Sequence, residues 1–483
     1  NDFIYNDSFS DKISKYLNHT AQVSSDGKVY SANPETTGRY HSNWLNMIYP
    51  RLKLARNLLC DDGVIMISID DSEFSNLKKV CEEVFGEENF VGQFVWKSRQ
   101  NKDNRNITNA SLDHEYILAF GKKIRGAERN MSQYKNPDND PRGDWSSANM
   151  VGLLPEDQRP NCHYDLINPD SDINYGKPKM GWRYDKNTMN QLIKENKIIW
   201  PTSIDGRPRR KKFLNELQQE YTGYSSIVGA DVYTRHGTIE IEDLFKFKAF
   251  DFPKPTALLK DLLIQGMGEE KSALFMDFFA GSGSSFDALM QINKENNTSH
   301  RYIAIQLPES VDNNSPSGLN GFKDIAGISA KRIALADKKY NGSSMVGFKY
   351  LKLSDSNINR WEPEFDSLSD ILDSSVDSIK SERDSDDVLY EVLLKYGLDL
   401  TYPITEHTLA GKIVYDVAFG SLIVCLDDGI TRDVVEGIGK LKQELDSETT
   451  RVVFKDAGFA DDSVKVNAIQ MLKQYGVDDV KSI

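Results

Sequence analysis

The stretch Phe275-Met276-Asp277-Phe278-Phe279-Ala280-Gly281-Ser282-Gly283-Ser284-Ser285 places an acid, two glycines and three serines in an order that could do chemistry. The apolar run ending in Asp277 reads as a strand, the small residues as a tight turn, and Phe286-Asp287-Ala288-Leu289-Met290 as the start of a helix. Glycines at such a turn let backbone approach a ligand closely, and the first N–H groups of the helix favour a carboxylate or phosphate there. Only Gly281-x-Gly283 is present. The third glycine of the dinucleotide fingerprint is missing, and the residue after the next predicted strand is Gln306 rather than an acid, which argues against an oxidoreductase built on a nicotinamide site. The same strand–turn–helix order also arises as plain packing, so the surrounding elements have to decide.

Those elements read as α/β. Leu45, Ile48, Leu52, Leu54, Ala55, Leu58 and Leu59 recur at helical spacing, and the β-branched run 64–69 suits a buried parallel strand. A helix over 74–85 and strands over 90–96 and 116–120 follow. From 122 to 245 the texture changes: Pro, Gly, Asn and Asp are frequent, aromatics are scattered and periodicity is poor, as in an inserted, loop-rich module. Regular texture returns with a helix over 257–264, the glycine turn, a strand over 302–305 and a helix over 325–336. The polar stretch 367–387 reads as a linker or exposed helix. Strands over 412–415, 422–426 and 451–454 with helices over 431–444 and 463–474 then predict a small α/β domain. The resulting boundaries are 1–121, 122–245, 246–354 and 355–483.

The net charge of −14 over 483 residues is unevenly placed. Residues 355–483 hold 27 acidic and 13 basic side chains, so the first 354 residues are neutral overall. Within these, residues 122–212 carry 18 basic and 12 acidic side chains, ending in Arg207-Pro208-Arg209-Arg210-Lys211-Lys212. Phosphate-binding potential is concentrated there, whereas the C-terminal part would repel a duplex; a solvated loop is the plainer reading of such a cluster. No apolar run reaches the roughly 18 residues of a membrane span. Nothing resembles a signal peptide, so a cytoplasmic location is expected. Cys60, Cys81, Cys162 and Cys425 are far apart and the seven histidines are dispersed, so neither a disulfide framework nor a metal site is expected.

Several segments together resemble the modification (Mod) subunit of type III restriction–modification systems. They are Asn1-Asp2-Phe3-Ile4-Tyr5-Asn6-Asp7, His41-Ser42-Asn43-Trp44-Leu45-Asn46-Met47-Ile48-Tyr49-Pro50-Arg51-Leu52, Gly63-Val64-Ile65-Met66-Ile67-Ser68-Ile69-Asp70 and His114-Glu115-Tyr116-Ile117-Leu118. Lys254-Pro255, the turn from Asp277 to Gly283, Ile305-Gln306-Leu307-Pro308-Glu309 and Lys481-Ser482-Ile483 complete the set. The order is that of the β class of amino-methyltransferases: catalytic half, recognition insert, cofactor half. The resemblance implies an α/β, Rossmann-like S-adenosylmethionine (SAM)-dependent methyltransferase sheet with an inserted target-recognition region and a small α/β C-terminal domain. It implies transfer of a methyl group from SAM to adenine N6 in duplex DNA. Gly281 and Gly283 would lie against the cofactor, Asp277 and Phe279 would border it, and Lys254-Pro255 would serve its methionine end. Either Gln306 or Glu309 would meet the ribose hydroxyls; for Glu309 a surface carboxylate is nearly as good a reading.

Methylating an exocyclic amine needs a flipped base and acceptors for its N–H groups. The family supplies these with Asp-Pro-Pro-Tyr, and this sequence contains no Pro-Pro dipeptide. In relatives that motif lies a few residues before the segment equivalent to Asn1–Tyr5. The expectation is therefore that a preceding piece is missing and that the chain as given does not methylate efficiently. The insert falls where the family keeps target recognition; Arg207, Arg209, Arg210, Lys211 and Lys212 are assigned to phosphates. Trp96 reads as a core tryptophan ahead of a residue bordering the flipped base. The family's dimer and its helicase–endonuclease (Res) partner imply a homodimer and a subunit contact, for which 355–483 is the candidate. The competing readings are a degenerate Mod-like protein that only binds DNA or a partner, and a solitary methyltransferase. Cytosine N4 as the acceptor stays open on motif chemistry alone.

Overall fold

The computed structural model describes residues 41–102, 110–203, 205–217, 221–342, 347–359, 379–477 and 479–483. The resemblance carried by Asn1–Asp7 and most of the 367–387 stretch lie outside these residues. The chain divides into two compact units between Gly347 and Phe348. Among the described residues no helix is long and apolar enough to cross a membrane.

The first unit begins with α1 (Ser42–Leu58), β1 (Val64–Ile69), α2 (Phe74–Phe85), β2 (Phe90–Trp96) and β3 (Glu115–Gly121). β1 and β2 both pair antiparallel with β3, and β2 adds the short parallel strand β9 (Ile227–Val228), giving the order β1-β3-β2-β9. The expectation of a parallel partner for 64–69 is corrected here: its run of Val and Ile reports burial on both faces, which an antiparallel neighbour also permits. Side chains of β1 alternate between two layers. Ile65, Ile67 and Ile69 pack with Ile48 and Leu52 of α1 and Leu77 and Cys81 of α2. Met66 faces the other way, toward Leu258 and Leu262, together with Phe94, Trp96 and Ile117. The sheet therefore lies between α1 and α2 on one side and the helix of Leu258 on the other. Fully burying a Leu or Phe in such a layer contributes about 1.5–3 kcal/mol.

The insert has its own core, in which Met150, Leu166, Trp182, Met189, Leu192 and Ile198 cluster. Its elements include β5 (Trp145–Asn149), α3 (Lys186–Lys194), β6 (Ile198–Ile199) and β7 (Arg209–Phe213), with β7 central in the sheet β5-β7-β6; β4 (Ala127–Glu128) pairs with β8 (Tyr221–Thr222). Asp185 starts α3 by accepting hydrogen bonds from Asn187 N and Thr188 N. The chain then returns through α4 (Thr234–Phe245), α5 (Thr256–Met267), β10 (Leu274–Asp277), α6 (Ser284–Asn296), β11 (Arg301–Ala304) and α7 (Ile325–Asn341). β10 and β11 are parallel and in register from Leu274 opposite Arg301 to Asp277 opposite Ala304.

The second unit contains α8 (Ser385–Lys395), β12 (Ile404–Leu409), β13 (Lys412–Val417), β14 (Leu422–Cys425), α9 (Arg432–Glu444), β15 (Arg451–Phe454), α10 (Asp462–Gln474) and β16 (Asp479–Ser482). The sheet order follows the sequence, antiparallel from β12 to β14 and parallel from β14 to β16. On β14, Ile423 and Cys425 face the α9–α10 layer while Leu422 and Val424 face α8, as period-2 alternation requires. The predicted small α/β domain is present, with β12, β16 and α8 added to the expected elements.

Candidate functional site

β10 ends at Asp277, and the turn that follows is closed by its own hydrogen bonds. Asp277 Oδ1 accepts from the Phe279 N–H at 3.0 Å, and Oδ2 accepts from Ser285 Oγ at 2.5 Å on the first turn of α6. Burial pushes the Asp277 carboxyl above the usual carboxylate range, against these two bonds, which favour the ionised form. Gly283 donates to Ala280 O at 2.8 Å, and β11 continues into the turn because Ala280 N donates to Ile305 O at 3.2 Å. Gly281 and Gly283 have φ of 53° and 77°, the left-handed region where a side chain is strained. A Cβ on Gly283 would also stand 3.2 Å from Ser329 O, so α7 presses directly on the turn.

Gln306 meets the turn from the end of β11. Its Oε1 accepts from the Gly281 N–H at 2.7 Å, and its Nε2 donates to Leu307 O at 3.0 Å. Glu309 lies three residues further on, half-buried, with its carboxyl pushed upward by desolvation. Gln306 is thus the member of the pair hydrogen-bonded to the glycine turn. Pro255 precedes α5, and Lys254 Nζ lies 2.7 Å from Glu115 Oε2 and 5.4 Å from the centre of the Trp96 ring. Trp96 is 1% exposed, and its Nε1 donates to Val232 O at 2.6 Å, in agreement with its reading as a core residue.

A second set of polar groups sits at the neighbouring strand ends. His114 Nε2 lies 2.9 Å from Tyr116 Oη and 3.9 Å from Asp71, and the Tyr116 ring packs on Phe74 with centroids 4.3 Å apart. Desolvation first, and then Asp71, raise the Tyr116 phenol.

The spacing of the sequence does not reveal the cluster behind the turn. Arg332 on α7 is fully buried; its Nε and Nη2 donate to Asp287 Oδ2 at 3.1 and 2.9 Å, and its Nη1 donates to Ser284 Oγ at 2.6 Å and Ser282 Oγ at 3.3 Å. Glu240 on α4 stands 3.6 Å from the guanidinium and accepts from both the N–H and the hydroxyl of Thr256, at 3.0 Å each. Burial pushes the Glu240 carboxyl up, opposed by the Thr256 bonds and by Arg332. Only the helical periodicity around Arg332 was available, and an inward arginine leaves the same spacing as an outward one.

The basic cluster is a strand rather than a loop. Arg207, Arg209 and Lys212 are exposed. Arg210 is half-buried, with its Nη1 3.0 Å from Tyr184 Oη. Lys211 departs from the expected phosphate role: it is 5% exposed and its ammonium donates to Asp138 and, at 3.1 Å, to Asp140. Strand alternation is the cause, since Lys211 and Phe213 share the inward face of β7. Bonding to Lys211 holds the Asp138 carboxyl below its usual range. Arg142 does the same for Asp140.

A glycine turn between a strand and a helix, backed by a parallel neighbour, in an α/β unit interrupted by a basic insert, defines an α/β fold of the kind that binds a nucleotide-like cofactor. Residues 27–311 match the profile of the DNA methylase family, and the chain belongs to that family. It is 28% identical over 490 residues to the Mod subunit of the EcoP15I type III restriction–modification enzyme of Escherichia coli, an alignment covering 90% of this chain and 71% of that subunit. It is 32% identical over 332 residues to the StyLTI Mod subunit of Salmonella typhimurium, covering 65% of this chain and 49% of the subunit, so the chain spans about half of that relative. Over 342 residues it is 28% identical to the type II methyltransferase M.KpnI of Klebsiella pneumoniae, covering 65% of this chain and 77% of that enzyme.

Proposed function

We propose that the chain is the modification and recognition subunit of a type III restriction–modification system. In it, a methyl group passes from SAM to adenine N6 in duplex DNA, in the cytoplasm. The observation that carries the reading is the turn 277–283, shaped by two left-handed glycines at the N-terminus of α6. The donor set fits such a cofactor: a helix N-terminus and a lysine for a carboxylate, and an amide side chain, Gln306, for a diol. When bound, SAM supplies the electrophilic methyl group.

The roles of the chain's own residues follow. Gly281 and Gly283 let backbone lie against the cofactor, Asp277 and Phe279 fix the turn at its edge, and Lys254-Pro255 shapes the methionine end. Gln306 or Glu309 orients the ribose. Arg207, Arg209 and Lys212 draw in DNA phosphates, with the half-buried Arg210 a further contact. Residues 1–121 and 246–354 form the two halves of the transfer domain, 122–245 reads the target, and 355–483 contacts a second copy or a Res subunit. These 483 residues contain no Asp-Pro-Pro-Tyr. The proposal is therefore that they bind cofactor and DNA but lack the acceptors that draw protons from the amine. Titration calorimetry with SAM, run beside transfer of tritiated methyl groups to DNA, tests both parts. Absence of SAM binding sinks the cofactor reading, and sustained transfer sinks the inactivity.

The M.KpnI alignment favours one second reading, a methyltransferase that works without a nuclease partner. A Res-type chain that co-purifies with this one would decide against it.

A further inference from the structure

We infer that Arg332 is a positioning residue for the cofactor site, locking the glycine turn and the Lys254-Pro255-Thr256 segment to each other through Asp287, Ser282, Ser284 and Glu240. The inference rests on the cofactor reading of the turn and adds to it a residue that touches no cofactor.

α7 reaches the turn with two side chains three positions apart, which therefore share one helix face. Ser329 Oγ donates to Gly281 O, and Arg332 Nη1 donates to the hydroxyls on both sides of Gly283. The remaining arms of the guanidinium end on Asp287, whose other oxygen accepts from Tyr340 Oη at 2.9 Å and Gln291 Nε2 at 3.1 Å. The Nη2 that bonds Asp287 also stands 3.6 Å from Glu240, and Glu240 accepts the first N–H of α5, immediately after Lys254-Pro255. One planar five-donor group thus spans both loops that the proposed site needs.

Stability alone is a poor reason for such a cluster. Arg332 is 0% and Asp287 2% exposed, and an ion pair so deeply buried rarely outperforms apolar side chains of the same volume, because desolvation offsets its attraction. What the pair supplies that a Met–Leu contact cannot is direction: hydrogen bonds fix where Ser282 and Ser284 point, and with them the amides of the turn. Its polar arms also reach Ser282 in the turn and Ser284 at the start of α6, as well as Asp287 and Glu240 within helices, as expected of a brace for a binding site.

The full chain, its Arg332→Met/Asp287→Leu double variant and its Arg332→Lys variant are compared by SAM titration calorimetry and thermal unfolding. The double variant keeps volume and removes the buried charge. It is expected to unfold near the parent's midpoint and to bind SAM about tenfold more weakly, because its turn is no longer held. Arg332→Lys retains the charge opposite Asp287 but cannot fork to the two serines, so it is expected to stay folded while its affinity falls. Unchanged affinity in a folded double variant, or losses that track only the unfolded fraction, would overturn the inference while leaving the cofactor reading intact. A parent chain that does not bind SAM overturns both.

Discussion

Lys254 Nζ and Glu115 Oε2 lie 2.7 Å apart although 139 residues separate them in the chain. Their pairing closes the excursion made by the insert and sets Lys254, just ahead of α5, against the start of β3. Lys254 also lies over the Trp96 ring, so its ammonium is held from two sides. A lysine so placed can face a ligand carboxylate only in competition with Glu115.

That competition gives the first prediction. Glu115→Gln is expected to leave SAM binding equal or tighten it by up to a few-fold, since the ammonium is then less committed. Lys254→Met is expected to weaken binding several-fold. The half-buried pair is expected to couple by roughly 0.5–1 kcal/mol in a double-mutant cycle of thermal stabilities. Unaltered affinity in Lys254→Met would remove this lysine from the site.

The inward side chain of Lys211 separates two kinds of basic residue in one cluster. Replacing Arg207, Arg209 and Lys212 by serine is expected to lower the slope of log affinity against log salt by about 2–3, with little change in the unfolding midpoint. Lys211→Met is expected to do the reverse: the salt slope of the folded protein stays, while the unfolding midpoint drops because Asp140 loses a buried partner. Filter binding at several salt concentrations and a melting curve for each variant check the pair. Equal salt slopes in the parent and the triple variant would free the insert's exposed cations from any DNA role.

Much of the architecture could be read from periodicity. The helix over Phe74–Phe85 and the strands over Phe90–Trp96 and Arg451–Phe454 coincide with their expected bounds, since each has an apolar pattern closed by a polar or glycine stop. The glycine turn was legible for the same reason, with its two left-handed positions marked by the residue type that tolerates them. β12 and β16 were not, because both are edge strands with polar residues on alternate or successive positions and little apolar signal. The basic cluster looked like a loop because charge hides strand propensity; only the neighbours β5 and β6 make Arg209–Phe213 a central strand. The partners of Arg332 lie in two other segments of the chain, 282–287 and the one around Glu240, and no local pattern links them.

Gly237 illustrates a position where a helical glycine is required by its surroundings. A Cβ there would stand 2.1 Å from Pro253 O, the backbone that leads into Lys254. In an exposed helix Gly→Ala gains about 0.5–1 kcal/mol. Here the sign is expected to reverse, with a lower unfolding midpoint and weaker SAM binding, because α4 must move away from the 253–254 backbone. A Gly237→Ala protein at least as stable as its parent would show that this close approach is not a constraint.

In the second unit, Glu391 on α8 accepts from Ser356 Oγ and the Asn357 N–H at 2.6 Å each, and its carboxylate lies 2.9 Å from Lys395. Burial opposes its ionisation, but the bonds from Ser356, Lys395 and Asn357 prevail and pull its pKa down to about 2. A carboxyl whose folded value lies below its unfolded one stabilises the fold fully above the unfolded value, and that contribution is lost as pH falls toward the folded value. The contribution of Glu391 is thus complete above about pH 4.5 and disappears by about pH 2. The Glu391→Gln chain is expected to show weaker amide-exchange protection of α8 than the parent at neutral pH. The difference should shrink steadily below pH 4.5, as protonation gives the parent the same neutral group. A difference independent of pH would show that shape rather than charge is what Glu391 contributes.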